Sequence, residues 1–283
     1  MILIDVHQLA YATILEHLGS TRTTKIDLTT ARILILDTIR ANVFKFKHTY
    51  GPTVVIAIDD DSYWRKSIFP HYKFHRKKIR DDSPFDWESI HAALAVLRVE
   101  MLNHLPYKVL QVPECEADDI IGTLTLRHAP HEKIMIVSSD GDFRQLHTHS
   151  NVNQYAPAQK KLIVEKAPTC ALKEKIIRGD KGDGIPNILS VDRSFVDGIR
   201  QKAIREVKVT EWLLQPPTAF CEGEMLRNFD RNRSLIDLTL IPQNYQNSIV
   251  AAFEAAAPKT KMDFMNYLTT HPSGTLMNVL QDF

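Results

Sequence analysis

Four short apolar runs mark the first half of the chain, at Ile2–Asp5 and residues 53–59, 108–112 and 133–138. Each is too short for a stable helix, is apolar almost throughout and gives way to polar residues, the pattern of strands buried on both faces. Between them lie stretches with helical spacing. Residues 29–47 carry Ile33, Leu36, Ile39 and Phe44, and residues 87–105 carry Ile90, Leu94, Leu97 and Leu102. Strands alternating with helices predict an α/β fold with a mainly parallel central sheet flanked by helices. Residues 151–154 and 161–165, separated by YAPAQK, predict a hairpin appended to that sheet. From about Ala167 the strand signal fades. Helical segments are expected at 171–178, 195–206, around 219–226 and at 247–256, punctuated by Pro216, Pro217 and Pro258. The expected division is therefore an α/β domain over 1–166 and a helical domain over 167–283.

With 283 residues, 44% of them hydrophobic, the chain can bury one good core and a smaller second one. Lys and Arg number 35 against 34 Asp and Glu. No global field draws the protein to nucleic acid, so any such affinity must come from how the charges are distributed. Cys115, Cys170 and Cys221 are far apart, with neither zinc spacing nor a disulfide framework, which suggests a reducing cytoplasm. The start MILIDV lacks the basic and apolar pattern of a signal peptide. No apolar run approaches the roughly 20 residues of a membrane helix. These features suggest a soluble cytoplasmic protein, a monomer with no membrane partner.

The chemistry lies in where the carboxylates fall. Sites on open parallel sheets form beyond the carboxyl ends of the strands. Asp5 ends the first strand and Asp59 the second; Asp140 follows the fourth, with Asp142 two residues on. After the third, ECEADDIIG opens a helix with Glu116, Asp118 and Asp119 on its first turn. Any one of these acids has an ordinary explanation as a cap or turn residue. Six or seven at one sheet edge repel one another, and a bound cation is the usual remedy. Hard oxygen donors without a nearby His or Cys set point to Mg2+, with Mn2+ able to substitute. Asp180 and Asp183 stand apart in RGDKGDGIPNI, a Gly-rich turn between helical stretches. It is either a solvated loop or a turn whose amides hold a phosphate backbone while its acids complete a second metal site.

A basic segment follows Asp59. Between Arg65 and Arg80 there are seven Lys or Arg and no acid, with Tyr63, Trp64, Phe69, Tyr72 and Phe74 interleaved. Cations track phosphates and aromatic faces stack on bases, so nucleic-acid contact is expected through Arg65, Lys66, Tyr72, Lys77, Lys78 and Arg80.

Taken together, the motifs resemble those of the flap endonuclease and 5′-to-3′ exonuclease family, nearest to its T-even bacteriophage ribonuclease H branch. They are LID at 3–5, AID at 57–59, YWR at 63–65, Tyr72, Lys73 and Arg76, EADD at 116–119, SSDGDF at 138–143 and GDKGD at 179–183. The resemblance implies one metal near Asp59, Asp118, Asp119 and Asp140, with Asp5 and Glu116 close by. It implies a second near Asp142, Asp180 and Asp183. Lys73 and Arg76 would approach the scissile phosphate as catalytic cations, and Tyr72 would stack on or steer a base. Residues 63–82 would form an arch over single strands. The 179–183 turn, with Lys181, Gly182 and Gly184, would be a helix–three-turn–helix gripping duplex backbone with a K+ ion. The family's usual Asn-Ile-Pro-Gly continuation is replaced here by Gly184, Ile185, Pro186 and Asn187, which bears on the K+ site.

The implied function is a two-metal phosphodiester hydrolase, a 5′-to-3′ exonuclease on RNA–DNA and DNA duplexes and an endonuclease on 5′ flaps. Its setting would be removal of RNA primers during lagging-strand replication in a bacterial host. A catalytically silent junction-binding protein of the same fold and a PIN-type single-strand ribonuclease are the alternatives. At the C-terminus, TLMNVLQDF puts Leu276, Leu280 and Phe283 on one helical stripe. Such a stripe either docks on the core or binds a replication sliding clamp; a single-strand-binding protein is a further expected partner.

Overall fold

The structure is a computed structural model that describes residues 1–271 and 273–283. Strand β1 (Ile2–Asp5) runs directly into helix α1 (Val6–Thr21), and α2 (Leu28–Tyr50) leads to β2 (Val54–Ile58). Two short helices, α3 (Arg65–Ile68) and α4 (Arg76–Asp81), precede α5 (Trp87–His104) and β3 (Lys108–Gln111). Helix α6 (Ala117–His128), β4 (Ile134–Val137), a 3-10 segment (Gly141–Thr148), β5 (Val152–Ala156) and β6 (Lys161–Ile163) complete the sheet region.

The six strands lie in the order β3-β2-β1-β4-β5-β6, parallel except for β6 against β5. The expected hairpin is there, and its first strand extends the parallel sheet. Alternate residues of the short apolar runs face opposite sides. Ile2, Ile4, Val54, Ile56 and Ile58 pack with α1, α2 and α5, while Leu3, Val55, Ala57 and Ile136 pack with α6. Both faces are covered, so these strands carry almost no polar residues. Helix starts are fixed by acids. Asp5, Asp27 and Asp86 cap α1, α2 and α5, each accepting from the backbone N–H three residues on.

Beyond the sheet come α7 (Pro168–Arg178), α8 (Glu206–Leu213), α9 (Gly223–Ile236), α10 (Gln243–Ala255) and α11 (Lys261–Thr270). The helix expected over 195–206 is not formed. Side chains hold this stretch as turns instead. Asn187 Nδ2 donates to Lys202 O at 2.8 Å, and the Lys202 amide donates to Ser190 Oγ at 2.9 Å, so side-chain bonds take the place of a helical ladder. The helix expected around 219–226 begins at Gly223 and runs ten residues further than that expectation, to Ile236.

A third core joins this helical region to the basic segment. Phe69 and Tyr72 are buried with Ile176, Ile177, Ile185, Phe229 and Ile236. The 63–82 segment is thus folded onto the helices through its aromatic residues, and only part of it faces outward. At the C-terminus a 3-10 segment (Gly274–Asp282) docks on the main core. Leu276 and Phe283 are buried, and the Phe283 ring lies 4.7 Å from that of Phe264. No helix of the described residues is long and apolar enough to cross a membrane, and the three cysteines are unpaired.

Candidate metal centre

Parallel strands bring their carboxyl ends to one edge, and the acids collect there. Asp5 accepts from the Gln8 amide at 3.1 Å and from Ser138 Oγ at 3.0 Å. Asp59, one residue past β2, accepts from the Ala117 amide at 2.7 Å, which ties the end of β2 to the start of α6. Asp140 follows β4 and caps the 3-10 segment by accepting from the Asp142 amide at 2.9 Å. Asp5, Asp59, Asp118 and Asp140 line one cleft of about 340 Å³, joined there by Lys73 and Arg76. The structure brings these six residues to one place.

The electrostatics are those of an acid cluster short of positive charge. Burial, followed by the charges of Asp59 and Asp140, pushes Asp5 up to about 7. Burial, then Asp140 and Asp5, pushes Asp118 well above the usual carboxylate range. Burial also raises Asp140, against the opposing charge of Lys175. Carboxylate oxygens crowded in this way fit a hard divalent cation, which would relieve the repulsion.

A second group lies alongside. One carboxylate oxygen from each of Asp142, Asp180 and Asp183 falls within 4.8 Å of the others. The turn that presents the last two is closed on itself, with Asp180 and Ile185 exchanging both backbone hydrogen bonds at 2.8 Å. Asp183 accepts from Tyr72 Oη at 2.9 Å and from Arg76 Nη2 at 2.6 Å. Burial opposes the Asp183 charge, yet Lys73, Arg76 and the Tyr72 hydrogen bond together hold its carboxyl below the usual value. This donor set also fits a hard cation.

Glu116 and Asp119 sit differently from the other acids. Glu116 is buried and accepts from Arg65 Nη1 at 2.8 Å and Tyr72 Oη at 3.0 Å, and it pairs with Lys73 Nζ. Asp119 is fully buried. It accepts from Trp64 Nε1 at 3.0 Å, from Arg65 and from the Glu116 amide at 2.9 Å. The pair form a capping box at the start of α6 and anchor the basic segment, and neither lines the cleft.

This placement corrects three of the expected nucleic-acid contacts. Arg65 and Tyr72 are buried, and their polar atoms are committed to Glu116, Asp119 and Asp183, so neither presents itself to a base or phosphate. Gly184 is buried beneath His75, and its amide is turned back toward Lys181 O. Lys66, Lys77, Lys78, Lys181 and Gly182 are exposed, and Arg80 is half-buried.

Other residues at the cleft escaped the sequence reading. His7, Gln8 and Tyr11 line it from the first turns of α1, and the His7 ring accepts from the Asp59 amide at 3.1 Å. Their signal was position, since a helix that starts at a site acid carries its first turns past that site. A second cleft of about 450 Å³ shares Tyr11, Asp59, Lys73 and Arg76 with the first and adds Tyr63, Trp87, Lys66 and Arg80. Three aromatic rings and four cations line it, together with Asp59, Asp61 and Ile79.

Residues 1–176 match the family model described as 5′-3′ exonuclease, N-terminal resolvase-like domain, and residues 166–283 match T4 RNase H, C terminal. The chain belongs to the 5′-to-3′ exonuclease family. It is 31% identical over 294 residues to Ribonuclease H of Enterobacteria phage T4, covering 99% of this chain and 95% of that protein. It is 29% identical over 170 residues to Flap endonuclease Xni of Shewanella sp. (strain MR-4), covering 56% of this chain and 61% of that one. Both relatives are nucleases by name, and the chain is an enzyme of their family. Solved structures share its fold. One is bacteriophage T5 5′-exonuclease with divalent zinc ions bound, at a TM-score of 0.57, 16% identity and coverage of 90% of this chain and 97% of that one. Another is the T5 flap endonuclease in a pseudo-enzyme–product complex with DNA and metal ions, at a TM-score of 0.58, 15% identity and coverage of 89% and 98%.

Proposed function

We propose that this family member hydrolyses phosphodiester bonds from 5′ ends with two Mg2+ ions, acting as an exonuclease on RNA–DNA and DNA duplexes and cutting 5′ flaps. Its role would be removal of RNA primers during replication, in the cytoplasm of a bacterial host. One observation carries the proposal. Carboxylates following three strand ends, and one from the first turn of α6, meet in a single cleft with two cations beside them.

Asp5, Asp59, Asp118 and Asp140 would hold one ion, and Asp142, Asp180 and Asp183 the other. When bound, such ions supply Lewis acidity to both the attacking and the leaving side of an in-line displacement. The chain does the rest. Lys73 and Arg76 place positive charge at the cleft, where a phosphate gains charge in the transition state. Glu116 pairs with Lys73 and is itself fixed by Arg65, Tyr72 and Asp119, while Asp183 and the Gly182 carbonyl hold Arg76. Lys66, Lys77, Lys78, Arg80 and Lys181, with the exposed backbone at Gly182, would track phosphates without reading sequence. Tyr63 and Trp87 offer ring surface to unpaired bases.

Nucleic acid is the partner this reading requires. A sliding clamp reached through the C-terminal peptide would have to draw Leu276 and Phe283 out of the core, so clamp contact forms no part of the proposal. The test is cleavage of a 5′-end-labelled RNA primer annealed to DNA, with Mg2+ and with EDTA, beside a labelled 5′ flap and plain single-stranded RNA. Short 5′ products that vanish with EDTA support the proposal. Binding without cleavage would favour a junction-binding protein, and cleavage of single-stranded RNA alone a PIN-type ribonuclease.

A further inference from the structure

Lys175 comes from the last turn of α7 and places its ammonium inside the Asp142–Asp180–Asp183 group. Nζ contacts Asp142 Oδ1 and lies 2.6 Å from Asp180 Oδ2. Nothing in the sequence motifs pointed to it. A lysine ammonium at these oxygens competes with a divalent ion for lone pairs, and the two positive charges repel at this range. We propose that Lys175 is an internal counter-ion that occupies the second metal site when no metal is bound and must leave for the ion to enter. The proposal rests on the reading of the triad as a metal site.

Three features fit this exchange. Arg76 and Lys73 reach only Asp183 of the triad, so Lys175 is the one cation that ion-pairs with Asp142 and Asp180 among the described residues. The side chain is partly exposed, unlike the fully enclosed Arg65, so it has freedom to move. It also borders an open cleft of about 420 Å³ that contains Glu165, an acid able to receive the displaced ammonium. At the first site Lys73 lines the cleft but pairs with Glu116 and Asp183, so no lysine among the described residues forms an ion pair with Asp5, Asp59, Asp118 or Asp140. The two sites should therefore differ in affinity by the fraction of time the lysine leaves the second one free.

The experiment is a Mn2+ titration of metal-stripped protein, with free ion counted by electron paramagnetic resonance, on wild type, Lys175→Gln and Asp180→Asn. The wild type should bind one ion more tightly than a second, and Asp180→Asn should lose the weaker event. Lys175→Gln should tighten that event by about tenfold or more, as expected if the lysine occupies the site nine-tenths of the time, and leave the tighter one unchanged. Equal or weaker second-ion binding in Lys175→Gln overturns the counter-ion role and spares the metal reading. A single ion in all three proteins overturns both. Should the glutamine variant fail to fold, the 15N signal of the Lys175 ammonium, assigned by its absence in Lys175→Arg, answers the question in wild type. It should move with the second equivalent of Mg2+, and a stationary signal would overturn the proposal.

Discussion

Arg65 Nη2 lies 2.8 Å from Asp119 Oδ1, with both side chains almost wholly withdrawn from solvent. The same guanidinium reaches Glu116, and its Nε donates to Leu235 O in α9 at 2.9 Å. One residue therefore joins the basic segment, the first turn of α6 and the helical region. Truncation would leave the buried Asp119 without its charged partner and Glu116 with Lys73 alone, and breaking such a pair destabilises by about 3–5 kcal/mol. Arg65→Ala should show a loss of that size in chemical denaturation. A stable variant with only a reduced salt dependence of DNA binding would return Arg65 to the role of a phosphate contact.

Gly179 closes α7 with φ 70° and ψ −171°, a conformation that is essentially glycine's alone. A Cβ there would stand 2.2 Å from Ile185 O, the carbonyl that closes the turn carrying Asp180 and Asp183. Gly179→Ala should lose about 1–3 kcal/mol from backbone strain alone. It should also weaken metal binding at the triad, because the carbonyl must shift. Calorimetric melting with and without Mn2+ would register both effects. An unchanged metal-dependent rise in Tm would show that the turn does not set the triad's geometry.

Phe283, though the last residue, is buried against Phe264 and Tyr107. Deleting a buried phenylalanine side chain costs about 3–5 kcal/mol, and Phe283→Ala should lose an amount in that range. Urea denaturation gives the value. A change within experimental error would mean that the tail is not docked in solution and is free for a partner.

Much of this arrangement was legible in the sequence, for reasons that separate it from what was not. Asp5, Asp59 and Asp140 follow from strand ends, because a parallel sheet delivers every strand's carboxyl end to one edge, whereas strand ends do not tell Asp118 from its helix neighbours Glu116 and Asp119. Arg65, Trp64 and Tyr72 look like an exposed binding surface when composition is read along the chain, since an aromatic in a basic run has the same spelling inside or outside a core. Tyr72 is buried by Ile176, Phe229 and Ile236, Trp64 shares a core with Leu238 and Ile241, and Arg65 bonds to Leu235 O, all more than a hundred residues away. Lys175 was silent for the same reason. A lone lysine on a helix carries no mark of facing an acid cluster assembled from two other segments. The missing 195–206 helix has a more local cause, in Asn187 and Ser190, whose side chains take up the backbone groups that a helix would need.

Asp140 accepts only backbone and neighbouring contacts on its protein side and turns the rest of its carboxylate to the cleft. Asparagine keeps the shape and the cap but gives up the charge, so Asp140→Asn should fold and bind primer–template normally. Cleavage with Mg2+ should fall by at least about 100-fold, the scale on which metal sites respond to a lost interaction. Binding is read by fluorescence anisotropy in EDTA and cleavage by single-turnover gel assay. Near-normal magnesium-dependent cleavage would remove Asp140 from the site.

The raised value of Asp5 makes the metal-free protein sensitive to pH in a direction opposite to the usual carboxylate. An acid that binds its proton more tightly when folded, at about 7, than when unfolded, at 3.8, is protonated mainly in the folded state between those values. Its contribution to stability is therefore greatest below 3.8 and is lost as pH rises toward 7. Above that range the charge must be held against Asp59 and Asp140. Asp5→Asn keeps the cap on α1 without the charge. In EDTA this variant should be more stable than wild type at pH 8, and the gap should close by pH 5, where wild-type Asp5 is protonated. Divalent metal should reverse the order at pH 8, since the wild-type carboxylate then gains a partner the asparagine cannot match. Denaturation at the two pH values, with and without Mg2+, measures all four stabilities. A gap that stays constant with pH would mean that Asp5 is ionised throughout, with its charge already compensated by the fold.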